Sequence, residues 1–117
     1  MLQLINKTKK TIIVGNLIVA DRFWPRLKGL MGKRDMAEDE GLLLVPCNSI
    51  HCMFMRFPID VLFLDKDFNI VKILDNLKPW RMTFVIRKAH QAIELKAGIS
   101  AKKGINIGDK LFIYREK

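Results

Sequence analysis

The chain has 117 residues, half of them hydrophobic, with 21 Lys and Arg set against 12 Asp and Glu. This is enough for one domain with one closed core, and it excludes both a second domain and a disordered chain. The formal charge of +9 permits a polyanionic partner such as nucleic acid or an anionic membrane surface, but the positives are spread along the chain, which favours a soluble basic surface.

Lys7, Lys9 and Lys10 precede an apolar run that ends at Ala20, the outline of a weak signal peptide. Gly15-Asn16 interrupts that run. Between two β-branched segments this pair is a two-residue turn signal, so strands are expected at Thr11–Val14 and Leu17–Ala20, paired as a hairpin. No apolar run approaches the ~20 residues needed to span a membrane.

Asp21 can cap a short helix through Met31. Phe23, Leu27, Leu30 and Met31 form its apolar stripe, Pro25 is tolerated in the first turn, and Gly32 ends it. The polar stretch Lys33–Glu40 reads as a loop or single turn on the surface. Gly41–Val45 reads as a buried strand stopped by Pro46.

Ile50–Arg56, if extended, puts His51, Met53 and Met55 on one face and Cys52, Phe54 and Arg56 on the other. Pro58 breaks it from a second strand, Ile59–Leu64, which is apolar on both faces apart from Asp60. Asp65–Asn69 is a turn, and Ile70–Leu74 pairs back as a hairpin strand. Leu77–Arg81 is a loop. Met82–Ile86 and Gln91–Leu95 are two more strands, the second ended by Ala97-Gly98. Ser100 can cap one helical turn through Lys103, closed by Gly104. Gly108-Asp109 turns into a last strand, Lys110–Tyr114. The expected fold is a mainly β, antiparallel, barrel-like or sandwich-like single domain over residues 1–117, with one short helix packed on it.

Five stretches occur in order: Arg26–Gly32 (RLKGLMG), Ile50–Asp65 (IHCMFMRFPIDVLFLD), Leu77–Arg81 (LKPWR), Ala92–Gly98 (AIELKAG) and Gly104–Asp109 (GINIGD). Together they resemble the bacterial and archaeal family called domain of unknown function 192, over about residues 18–113. The resemblance implies a compact β-rich domain and no known reaction. Its pattern centres on Gly29-Leu30-Met31, Met55, Asp60, Glu94, Gly98 and Gly108-Asp109, all present here. The family more often has an aromatic residue where this chain has Met53. Many members look exported; export is not carried over, because this chain has no convincing signal.

Asp60 is the leading candidate for a site. A carboxylate between Ile59 and Val61 must find partners. Arg26, Arg56 and Arg81 can supply them as bidentate donors, leaving Asp60 either a structural anchor at the Pro58 corner or a ligand-binding or acid–base group. Glu94, between Ile93 and Leu95, could form a carboxylate pair with Asp60 if the two converged; an alternating strand favours a solvent-facing Glu94 instead. His51, Met53 and Met55, with Cys47 or Cys52, are soft donors that could hold Cu(I), but core packing explains them better, and no metal is expected. Zinc lacks a second Cys or His pair among Cys47, Cys52, His51 and His90. Two cysteines are too few for a secreted disulfide framework, so a reduced, cytoplasmic setting is expected. Trp80-Arg81, with Trp24, could stack bases or could cap the domain's ends.

The leading functional expectation is a non-enzymatic binding domain. Its cleft, lined by Met55, Asp60, Trp80 and Arg81, would take a small polar or anionic ligand or a peptide. The alternative is a basic nucleic-acid binder. A hydrolase-type enzyme comes third, since no nucleophile–base pair is visible and no cofactor is expected.

Overall fold

The computed structural model describes residues 1–20, 36–49, 57–79 and 83–115. The expected helix from Asp21 through Met31 and the expected strand Ile50–Arg56 lie outside the described residues.

Eight strands are described: β1 Leu2–Asn6, β2 Thr11–Val14, β3 Asn16–Ala20, β4 Glu40–Leu44, β5 Ile59–Leu64, β6 Ile70–Leu77, β7 Gln91–Lys96 and β8 Leu111–Arg115. A single helical turn, α1 (Ile99–Lys102), follows β7. The strands form two sheets, one ordered β2-β1-β8 and the other β3-β4-β7-β5-β6. The barrel is not closed; the arrangement is sandwich-like.

The composition of β5 explains its central place. Ile59, Val61 and Phe63 alternate with Leu62 and Leu64, all fully buried, so both of its faces need apolar cover. Leu62 and Leu64, with Ile93 and Leu95 of β7 and Leu43 of β4, pack against Leu4, Ile13, Val14 and Leu111 of the three-stranded sheet. Ile59, Val61 and Phe63, with Ala92, Leu42 and Leu44, form the opposite core, joined by Met36 and Phe57 and by the half-buried Ile86 and Ala89. Each such fully buried aliphatic or aromatic side chain contributes about 2 kcal/mol. Turn residues bound β5–β6 as expected: the Asp65 carboxylate accepts the amides of Asp67 and Asn69, both at 2.9 Å, and closes the connection.

Several expectations are corrected. The Gly15-Asn16 hairpin does not form. Gly15 lacks the positive φ that a primed turn requires, and its amide donates to Asp39 Oδ1 at 2.7 Å. The chain bends there from one sheet to the other: β2 pairs with β1, and β3 runs parallel to β4. The pairing is thus not all antiparallel. A first strand, β1, precedes those expected and joins both ends of the chain through β8. Thr83–Ile86 is not a strand; the Ile86 amide donates instead to Asn48 O at 2.8 Å. Ser100 does not cap α1. The N-cap is Gly98, at φ +96, with no side-chain cap of its own.

Candidate functional site

Asp60 and Glu94 occupy the two central strands, β5 and β7. The register pairs Asp60 with Leu95 and Val61 with Glu94. Since side chains alternate along a strand, Asp60 points with Leu95 toward the inter-sheet core, and Glu94 points with Val61 to the other face. The two carboxyls therefore do not converge, which removes the geometry for a carboxylate pair.

Asp60 is fully buried, and its partners are its own backbone surroundings. Oδ1 accepts the Asn76 amide at 2.8 Å. Oδ2 accepts the amides of Gly98 and Ser100 at 3.0 and 2.9 Å and the Ser100 hydroxyl at 2.7 Å. The local structure explains why a carboxylate is needed here. The β5–β6 register shifts between Ile59 and Val61, and Asn76 sits opposite that shift with φ +52, so its amide leaves the ladder. The first turn of α1 has amides without helical partners and no cap. One side chain satisfies both defects and ties β5, β6 and α1 together. Four donors converge on this carboxylate, one on Oδ1 and three on Oδ2.

Glu94 has the opposite situation. It is 4 % exposed, not solvent-facing as the alternation suggested. The reason is position: β7 lies between β4 and β5, and both of its faces are covered. Its cross-strand neighbours are Leu42 and Val61, which offer no donor. No described residue donates a hydrogen bond to it. Burial pushes its carboxyl from 4.5 up to about 7. Among the described residues no buried side-chain oxygen or nitrogen is both sealed from solvent and without a partner, so the Glu94 carboxyl keeps a narrow opening to the surface.

Of the other expected site residues, His51, Met55, Arg26, Arg56, Trp80 and Arg81 lie outside the described residues, as do Cys52, Met53 and Trp24. Cys47 is half-buried, and its thiol donates to the Ser49 carbonyl at 3.0 Å. Among the described residues no cluster of three or more His, Cys, Asp or Glu side chains could hold a metal ion. No described helix is long and apolar enough to cross a membrane.

Sequence reading missed a second polar knot. Asp109 is buried and accepts from Asn6 Nδ2 at 2.9 Å, Lys9 Nζ at 3.0 Å and the Asn106 amide at 2.9 Å. Lys9 also reaches Gly104 O and Asn106 Oδ1. The cluster pins the β1–β2 turn to the segment before β8. Its sequence signals are an Asn at an inward position of β1 and the Gly104–Asp109 stretch, which do not by themselves show that the two meet.

These features describe a small, two-sheet β domain with two buried carboxyls on opposite faces of the same sheet, Asp60 held by four donors and Glu94 with no donor among the described residues. The family model DUF192, described as uncharacterized ACR, matches residues 4–113, and the chain belongs to that family. It is 33% identical over 111 residues to a UPF0127 protein of Pyrococcus horikoshii, covering 92% of this chain and 96% of that one. It is 34% identical over 113 residues to a UPF0127 protein of Thermococcus sibiricus, covering 92% and 72%. A crystal structure of a protein of unknown function from Novosphingobium aromaticivorans superposes with a TM-score of 0.82 at 20% identity, covering 95% of this chain and 82% of that one; it shares the fold.

Proposed function

We propose that this chain is a small non-enzymatic binding domain for a small polar ligand or a peptide, and that Glu94 is the polar contact of its site. The observation that carries the reading is the Glu94 carboxyl itself: 4 % exposed, set between Leu42 and Val61, with no donor among the described residues. A buried carboxyl without a partner costs stability that a single-purpose fold has no reason to retain. A ligand bearing an amine or another hydrogen-bond donor would satisfy it, with the surrounding apolar face supplying contact area. The Asp60 end of the expected cleft then serves as the support, since that carboxylate is filled by Asn76, Gly98 and Ser100. Met55, Trp80 and Arg81 remain in the proposal as lining residues on sequence grounds.

The test is a thermal-shift screen of wild type, Glu94→Gln and Asp60→Asn against amines, small acids, nucleotides, short peptides and oligonucleotides. The expected result is a donor-bearing compound that raises Tm in wild type and not in Glu94→Gln. Asp60→Asn should start from a lower Tm and still respond. An equal response in Glu94→Gln would refute the assignment. Stabilisation of all three proteins by oligonucleotides, lost steeply with added salt, would move the function to the basic surface.

A further inference from the structure

The segment between β6 and β7 carries features that neither core explains. Phe84 is 92% exposed and Val85 is 61% exposed. A phenylalanine this exposed, with a second apolar residue beside it, is uncommon on a soluble surface and marks a contact. The tip is held from below. The Ile86 amide donates to Asn48 O, the Ala89 amide donates back to Ile86 O, and both Ile86 and Ala89 pack on the buried cluster. Phe84 and Val85 are therefore presented on an anchored base.

Arg87 and Lys88 follow directly and are exposed. With Lys66 and His90 they line an open cleft of about 440 Å3, whose other charged members are Asp65 and Asp67. Asp65 is already occupied: Oδ1 accepts the amides of Asp67 and Asn69, and Oδ2 accepts Asn69 Nδ2. Three cations therefore stand against two carboxylates, one of them committed internally. The chain as a whole carries +9.

We propose that this tip is a docking surface for an anionic phospholipid membrane. Phe84 and Val85 would enter the interfacial region, and Arg87, Lys88 and Lys66 would face the headgroup phosphates at the adjoining cleft. An exposed apolar pair followed in the chain by two exposed cations supplies both elements that stable peripheral binding combines, since neither alone suffices. The charge of the chain and of the cleft selects an anionic surface. This proposal uses none of the residues invoked for the Glu94 site and stands or falls separately.

The experiment is cosedimentation of the intact protein with vesicles of phosphatidylcholine alone and of phosphatidylcholine mixed with phosphatidylserine. Wild type is expected to bind the mixed vesicles and to ignore phosphatidylcholine. Phe84→Ser with Val85→Ser, and separately Arg87→Glu with Lys88→Glu, should each weaken binding about tenfold or more. All four side chains are exposed, so thermal unfolding should be unchanged, and this is checked on the same samples. Binding retained in the Phe84/Val85 variant would overturn the proposal, because the overall charge would then be the whole cause. Absence of binding by wild type would overturn it too. So would loss of self-association or of oligonucleotide binding in these variants without any vesicle binding, which would make the tip a protein or nucleic-acid contact.

Discussion

Folding stability should fall as pH rises from about 5 to 8, and Glu94→Gln should abolish most of that fall. Burial between Leu42 and Val61 raises the Glu94 carboxyl from 4.5 to about 7 in the folded chain. A raised folded value means the native state holds a proton that the unfolded chain has released. Stability from the protonated form is therefore complete below 4.5 and is lost as pH rises through about 7. The difference corresponds to about 3 kcal/mol between the two limits, a sizeable part of the stability of a domain this size. The opening at Glu94 and any water reaching it would reduce this. The assay is urea unfolding at intervals from pH 5 to pH 8, for wild type and for Glu94→Gln, with the difference between the two curves isolating residue 94. Gln keeps the shape and cannot ionise, so its curve should be nearly flat where wild type falls. Parallel curves would refute the reasoning, since they would mean that Glu94 has a partner that holds its charge. A cationic ligand at Glu94 should restore stability at pH 8 and leave the value at pH 5 nearly unchanged.

Asp60→Ala should cost about 3–5 kcal/mol, because the amides of Asn76, Gly98 and Ser100 lose their acceptor inside the fold; a variant within about 0.5 kcal/mol of wild type by urea midpoint would contradict the scaffold role. Asp109 behaves oppositely to Glu94 with pH. Burial acts to raise it, but the hydrogen bonds from Asn6, Asn106 and Lys9 outweigh burial and hold it below 3.8. Its contribution is therefore present above that value and lost as pH falls through the folded one, so the stability gap between wild type and Asp109→Asn should shrink in acid. At Gly41 an added Cβ would lie 3.1 Å from Leu95 and 3.2 Å from Leu17 and Val14 side chains; Gly41→Ala should cost about 1–3 kcal/mol by overpacking, and an unchanged denaturation midpoint would show that these chains yield freely.

Some strands are legible in a short window, whereas β1 and the lack of a strand at Thr83–Ile86 are not. β5 is legible because Pro58 precedes an unbroken apolar run and Asp65–Asn69 supplies turn donors and acceptors after it. β7 and the end at Gly98 are legible for similar reasons. What failed was pairing. Gly15-Asn16 carries the composition of a hairpin turn, but the local signal lost to a distant partner, Asp39, which holds the bend between sheets. The parallel pairing of β3 with β4 and the antiparallel pairing of β1 with β8 depend on contacts that no short window contains. The same limit explains Glu94. Alternation predicts which residues share a face, and it did so correctly, but whether that face meets solvent depends on where β7 sits in the sheet.

That limit also decides between the two carboxyls. In the sequence, Asp60 and Glu94 look alike: each is an acid between apolar neighbours in a short strand. One step of register on paired strands sends them to opposite faces, and the surroundings of each then differ in kind. Asp60 repairs two backbone defects, at the β6 irregularity and at the start of α1, so its chemistry is used up inside the fold. Ser100, expected to cap the helix, became one more donor to it. Glu94 repairs nothing among the described residues, and its ionised form costs stability, which is why the proposed function places the ligand contact there. Sequence alone ranks these two acids in the other order; the proposed function instead rests on Glu94, the one with no partner among the described residues.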